Sequence, residues 1–351
     1  MTAAAGSVLD GLWAHGNDYT PVERSFQART GQALRGPLTC PDDTSEAVSV
    51  VVASYNGGRS LFATLAALQR QRYRNLEVVV VDDGSTTPLE PVVRSAALTV
   101  PVTLIRSSVN RGASTARNVG LHCASGSTVI FLDDDMLAPP EMVGALALRQ
   151  QHTEGCLFLG FRENTKAEVF FDTGAARPRI ERDWRYRSDR GAGRQIMLTA
   201  DEDAPDCNRT VIEPLHESEY FKRFGHCRTI GFWDLPGMVA GHSVCVKRAD
   251  AISAGGFSEE YFSGWGAEDL AFGALMAAHG YFIVPALDWV CFHLRHEGRH
   301  MSRAEELLNL RRNFARYRSY LTEPLAAARF PSHRLHRCAD GGGLTVYELQ
   351  P

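Results

Sequence analysis

Three consecutive aspartates, Asp133, Asp134 and Asp135, close an apolar run in the stretch VIFLDDDMLAPP. Carboxylates packed this closely repel one another unless a cation or hydrogen-bond donors gather round them. On an extended backbone Asp133 and Asp135 project to one side and Asp134 to the other. One aspartate at a strand-to-helix turn is accounted for by helix capping. Capping takes a single carboxylate, so it leaves the other two unexplained. A hard divalent cation, Mn2+ or Mg2+, held through oxygen and shared with substrate phosphates, accounts for the same-side pair.

A second acidic pair, Asp82 and Asp83, ends the run LEVVVVDDGS. An Asp-Gly turn after a strand is one reading. The other is recognition of a base or ribose, as acidic residues at strand ends provide in dinucleotide-binding folds. Ser54 and Tyr55 close AVSVVVASYNGG in the same way, with the tyrosine placed either to flank a base or to sit half-buried at the strand end. Glu268 and Asp269 follow the glycine-bounded loop GWGAEDLAFG and open a helical pattern. They either complement the helix dipole or act on substrate. Trp265, between two glycines, suits stacking on a sugar face in a loop able to close, or anchoring that loop to the core. His293, His296 and His300 would converge on zinc only in a helix, and the preceding YFIVPALDWVCF is strand-like. His242 and His279 read as structural.

The elements that must carry these residues alternate. Apolar runs at 47–54, 76–82, 102–107 and 128–133 are separated by helical patterns, the first with Leu61, Leu65 and Leu68 on one face. This alternation predicts an α/β chain with a doubly wound, mostly parallel sheet and helices on both faces. In such sheets ligands bind at the carboxyl ends of the strands, where the acidic clusters collect. PPEMVGALALRQQ is expected to begin a helix with proline in its first turn. We divide the chain into an N-terminal extension (1–46), two central parts (47–155 and 156–300), and a C-terminal helix with its tail (301–351). Residues 162–235 are charged, poorly periodic and marked by Trp184 and Trp233. The helix expected at SRAEELLNLRRNFARYRSYL has a capping box, Ser302 and Glu305, and an apolar stripe of Leu307, Leu310, Phe314, Tyr317 and Leu321, with its arginines facing away. We read it as packed on its own domain, with a membrane-surface role as the alternative.

A net charge of −4 gives no reason to expect a nucleic-acid partner. No apolar run is long enough to cross a bilayer and no secretory leader is visible, so a soluble, cytoplasmic protein is expected. Eight cysteines without a CxxC read as buried free thiols, not a disulfide framework. GxGxxG is absent after the first strand, against a dinucleotide oxidoreductase. SYNGGRS is a poor match to a nucleotidyltransferase loop, and the absence of lysine before Lys166 counts against a receiver domain.

VSVVVASYNGG, VVVVDDGS, NRGASTARNVGL and FLDDDM, in this order, resemble the nucleotide-binding half of family 2 glycosyltransferases. GGFSEEYFSGWGAEDLAFG followed by HLRH resembles the catalytic segment of beta-1,4-galactosyltransferase and chondroitin-polymerase type enzymes. Together these stretches cover 46–155 and 236–297. The resemblance implies a GT-A fold and a nucleotide-sugar donor, usually a UDP-sugar, with Mn2+ or Mg2+. It would also make 47–155 a nucleotide-sugar-binding half and 156–300 an acceptor-binding and catalytic half. It implies that Asp83 contacts uracil with Asp82 in support, and that Arg111 and Gly112 lie near the sugar or diphosphate. Asp133–Asp135 would form a DXD motif with Asp135 the first metal ligand, and His296 would complete the metal site. Asp269 would be the catalytic base, and Glu268 would bind sugar hydroxyls. Ala53 departs from the threonine or proline common in relatives. A cation there would neutralise charge on the leaving diphosphate. Asp269, expected to be well exposed and kept ionised by the helix end, would take the acceptor proton. One base without a nearby nucleophile fits inversion, by the logic of inverting glycosidases.

Two alternatives stand beside this reading: a retaining transferase of the same fold, and a catalytically silent nucleotide-sugar-binding protein. Polypeptide N-acetylgalactosaminyltransferases, which retain configuration, resemble the chain in the loop before the helix but carry asparagine at the place of Asp269. The acceptor stays open between a saccharide, a natural product, a lipid-linked sugar and a peptide. A homo-oligomer is compatible with the sequence.

Overall fold

The computed structural model describes residues 6–15, 17–42, 44–166, 181–182, 239–262, 266–295, 303–325 and 344–349. Trp184, Trp233, Trp265, His296, His300 and Ser302, and with them most of the charged segment 162–235, lie outside the described residues.

Valine-rich runs become strands buried on both faces. The chain enters through α1 (Val8–Ala14) and α2 (Thr20–Thr30), then alternates: β1 (Val48–Ser54), α3 (Gly58–Gln69), β2 (Leu76–Asp82), α4 (Glu90–Ser95), β3 (Val102–Ser107), α5 (Ala113–Cys123) and β4 (Thr128–Asp133). There follow β5 (Met136–Leu137), α6 (Met142–His152), β6 (Cys156–Lys166), β7 (Glu181–Arg182), β8 (Ser243–Lys247) and α7 (Arg248–Ala254). The last elements are α8 (Glu268–Ala278), β9 (Phe282–Arg295), α9 (Arg303–Leu321) and β10 (Leu344–Leu349). The strands form one sheet in the order β10-β3-β2-β1-β4-β8-β6-β9-β5, with β7 paired to β6. β1–β4 run parallel, whereas β8 and β10 join antiparallel. The sheet is therefore parallel across β3, β2, β1 and β4 and mixed from β8 onward.

Alternation along each strand divides the core in two. Val51, Val79, Val81, Ile105, Val129 and Phe131 face α1, α5, α7, α8 and α9. Val50, Val52, Val78, Val80, Leu104 and Ile130 face α2, α3, α4 and α6, where Leu61, Leu65 and Leu68 are all buried as their spacing requires. The N-terminal segment is helical and packed. In α1, a Cβ on Gly11 would stand 2.8 Å from the Cβ of Ala278, so glycine is what lets α1 lie against α8.

Two local expectations fail for identifiable reasons. Pro139 and Pro140 precede α6 instead of starting it, and its N-cap is Glu141, which makes no side-chain capping bond. β4 stops at Asp133 and the chain turns at Asp134 and Asp135, so the strand alternation does not extend across the three aspartates. None of the three caps α6. Cys156, Cys245 and Cys291 are buried free thiols, while Cys40 is partly exposed and Cys123 exposed.

Candidate active site

The register lines up the strand ends. Ser54 pairs with Asp82, Asp82 with Arg106, and Ala53 with Asp133. The register therefore brings Asp82 and Asp133 to one edge of the sheet, with Asp83, Asp134 and Asp135 just beyond the strand ends.

Asp82 is fully buried and structural in its contacts. It accepts N–H groups from Ser85 at 2.9 Å and Leu89 at 3.3 Å and pairs with the guanidinium of Arg106. Arg106 also donates to the Ser85 carbonyl at 2.8 Å, which ties the DDGS turn to β3. Asp83 turns the other way and accepts the backbone N–H groups of Arg111 at 2.9 Å and Gly112 at 2.8 Å. Burial pushes its carboxyl up to about 6 against the pull of those donors. Gly84, at φ 72°, has no room for a side chain: a Cβ would meet the carbonyl carbon of Val109 at 2.3 Å. The loop before α5 is thus clasped onto the DDGS turn. Gly112 opens α5 at φ 93°, where only glycine is unstrained, and the Arg111 side chain is exposed. Tyr55 is half-buried beside this turn.

Asp134 is buried and bonded to the hydroxyl of Ser54, and a Cβ on Gly57 would stand 2.2 Å from both oxygens. Asp135 lies with its Oδ2 3.3 Å from Nε2 of His293, across the β5–β9 pairing of Met136 with His293. His293, and not His296, is the described histidine at this acid. Asp133 keeps about a third of its side chain exposed and accepts from Arg117 Nη2 at 3.0 Å.

Arg117 is the residue that the sequence reading missed. It lies within STARNVGL on α5, and its side chain is only 8% exposed. One nitrogen reaches Asp133 and the other donates to Glu268 at 3.2 Å. Burial works against its charge, but Asp133, Glu268 and Asp269 outweigh that and hold it protonated above the ordinary guanidinium range. The next residue, Asn118, exchanges two 2.8 Å hydrogen bonds with the peptide of Phe257 and donates to Glu259 at 2.9 Å; Thr115 bonds the same glutamate. One helix therefore fixes the DDGS turn at its start, Asp133 and Glu268 at its second turn, and the GGF loop beside it. No local signal marks Arg117: the same helix also carries Ser114, Thr115, Asn118 and His122, so one further polar residue does not stand out.

Glu268 is buried and also accepts the Gly266 N–H at 3.0 Å, shaping the loop that enters α8. Asp269 is half-buried, not well exposed, and accepts N–H groups from Gly241 at 3.2 Å and Leu270 at 2.9 Å. Burial, then repulsion from Glu268, pushes its carboxyl up to about 7, with Arg117 opposing. Desolvation therefore outweighs the helix end that was expected to keep it ionised.

Among the described residues no three metal-ligating side chains gather at one point. The Asp135–His293 pair offers an oxygen and a nitrogen that suit Mn2+, with the remaining positions open to phosphate and water. A separate apolar cavity of about 750 Å3 lies beyond β5, between Phe62, Leu137, Met142, Trp289 and Phe292, and none of the expected site residues lines it.

Residues 49–209 match Glycosyl transferase family 2. Validoxylamine A glucosyltransferase of Streptomyces hygroscopicus subsp. jinggangensis is 28% identical over 281 residues, covering 79% of this chain and 62% of that protein. An uncharacterized glycosyltransferase of Haemophilus influenzae is 42% identical over 94 residues, 27% of this chain and 31% of its own. The chain thus spans less than two thirds of the length of these curated relatives. The crystal structure of GalNAc-T7 with UDP, GalNAc and Mn2+ superposes with a TM-score of 0.50 at 15% identity, over 76% of this chain and 48% of that one. The segment 49–209 is thus similar to glycosyl transferase family 2. The architecture of the chain is that of the GT-A fold.

Proposed function

We propose that the protein transfers a sugar from a nucleotide-activated donor, a UDP-sugar by preference, to an acceptor hydroxyl with inversion at the anomeric carbon. The observation that carries this reading is the bridge from Asp133 through Arg117 to Glu268, which ties the strand end suited to a diphosphate to the acidic start of α8. Asp269, adjacent to Glu268 and held by Gly241, is the general base: its raised proton affinity suits it to accept the acceptor's proton near neutral pH. Glu268 is held in place by Arg117 and the Gly266 N–H, and an oxygen so fixed can orient a sugar hydroxyl. Asp83 and the Arg111–Gly112 backbone form the base-side wall, with Tyr55 beside it. Asp135 and His293 would hold a divalent cation, and Asp133, here engaged by Arg117, and His296 remain further ligands by family resemblance. When bound, such a cation offsets the charge on a departing diphosphate.

Calorimetric titration with UDP and GDP, with and without Mn2+, tests the donor side, beside Asp135→Ala. UDP binding that needs both Mn2+ and Asp135 is the expected result. Failure of either nucleotide to bind with any divalent metal would remove the reading. Incubation with a UDP-sugar and candidate acceptors, followed by determination of the product's anomeric configuration, tests inversion against retention.

A further inference from the structure

α9 divides its residues sharply. Its inner face is committed to the core: Tyr317, Tyr320 and Leu321 are buried, Tyr320 stacks edge-on to Tyr261 at 5.2 Å, and Leu310 lies where a Cβ on Gly266 would stand 2.9 Å from it. The outer face carries Leu308, Arg311, Arg312, Ala315 and Arg318 at helical spacing, all exposed. Among the described residues, no acceptor stands within hydrogen-bond or ion-pair distance of the guanidinium groups of Arg311, Arg312 and Arg318. Leu308 is 56% exposed on the same face, one of few large apolar side chains so open among the described residues. The one described acid on this face is Glu305, in the first turn. From 303 to 337 the sequence has eight arginines against three glutamates, on a chain whose total charge is −4.

We infer that this outer face of α9 docks the protein onto a membrane surface carrying anionic phospholipid. The partner's sign follows from charge complementarity, since unpaired, weakly hydrated guanidinium groups pair with phosphate. An extended surface, rather than one small anion, follows from their spread over two turns of helix and from the exposed leucine among them. Because the apolar inner face is already buried, α9 does not sink into the bilayer. The contact is peripheral, electrostatic and salt-sensitive. Leu310 touches the loop that enters α8, so the lipid surface would lie about one helix diameter, ~10 Å, from that loop. On the transferase reading, docking would present the site to acceptors carried on lipid. The docking itself stands independently of that reading.

Co-sedimentation of the full chain with phosphatidylcholine vesicles, and with vesicles in which a third of the lipid is phosphatidylglycerol, tests this. The intact protein should pellet with the anionic vesicles at low salt, and neither with neutral vesicles nor at about 1 M salt, where the screening length is about 3 Å. Each arginine near such a surface is worth a factor of about five, so Arg311→Glu/Arg312→Glu/Arg318→Glu should lose at least about a hundredfold in partitioning. Its melting temperature and UDP titration should stay unchanged, which separates lost docking from lost folding or a lost donor site. Absence of binding to anionic vesicles, equal binding by the triple variant, or equal binding to neutral vesicles would overturn the inference. Retardation of a short DNA duplex without vesicle binding would also overturn it, by making the face a general polyanion site.

Discussion

Arg117 donates to Glu268 at 3.2 Å across 151 residues of sequence, and the same guanidinium holds Asp133. Two carboxylates far apart in sequence, Asp133 and Glu268, are kept at one place by a single buried cation. Its planar fork is what permits this, because lysine would offer one point of charge to two acids.

Replacing Arg117 with lysine should therefore leave a folded protein whose turnover falls by roughly a hundredfold, the scale of one misplaced catalytic group. Arg117→Met should instead cost about 3–5 kcal/mol of stability, because Glu268 is left buried and uncompensated. Adding Glu268→Gln to Arg117→Met should recover much of the melting temperature without recovering turnover. Thermal unfolding and a donor-consumption assay on the three variants separate the two effects.

Gly241 gives an independent way to disturb the same cation. A Cβ there would meet Arg117 Cζ and Nη2 at 2.6 Å, and its N–H is a donor to Asp269. Gly241→Ala should displace the guanidinium and lower kcat more than it raises KM for the donor. A variant with unchanged kcat would mean that the bridge has no part in turnover.

These residues show what the sequence carries and what it hides. The central strands were legible because a run buried on both faces is continuously apolar, as 78–81 is. So were the acids at the strand ends, since strand ends are where a parallel sheet puts its ligands. The turn at Asp134 and Asp135 was not legible: three identical residues give no sign of where a strand stops. β10 was missed because its partner β3 lies more than two hundred residues earlier. Arg117 was invisible because its partners come from β4 and α8, and no local pattern reports a contact over such separation. Burial of Asp269 is also a tertiary property, which is why a helix-dipole argument alone gave the wrong direction.

The loop clasp at Asp83 should be separable from the chemistry. Asparagine keeps one oxygen but turns an N–H group toward backbone N–H donors, so it cannot accept from both Arg111 and Gly112. Asp83→Asn should weaken UDP binding by about tenfold or more, the loss of one charge-assisted hydrogen bond. Turnover at saturating donor should change little. Calorimetry against a saturating-donor rate measures the split.

Asp269 makes the last prediction, and its sign can be worked out in both stability and rate. Its carboxyl rises from 3.8 to about 7, with burial the larger cause and Glu268 the next. The folded state therefore holds this proton more tightly than the unfolded chain does. The associated stability is fully present below about pH 4 and is lost as pH rises toward 7. Asp269→Asn should consequently melt higher than the parent at pH 8, while losing roughly a hundredfold or more in turnover. In the parent, kcat/KM should rise with pH through about 7, because only the ionised carboxylate accepts the acceptor's proton. Glu268→Gln removes the repulsion and should move that rise to lower pH. Arg117→Met removes the opposing cation and should move it higher. A flat rate profile between pH 5.5 and 8.5, or movement of both variants in one direction, would show that Asp269 is not the titrating base.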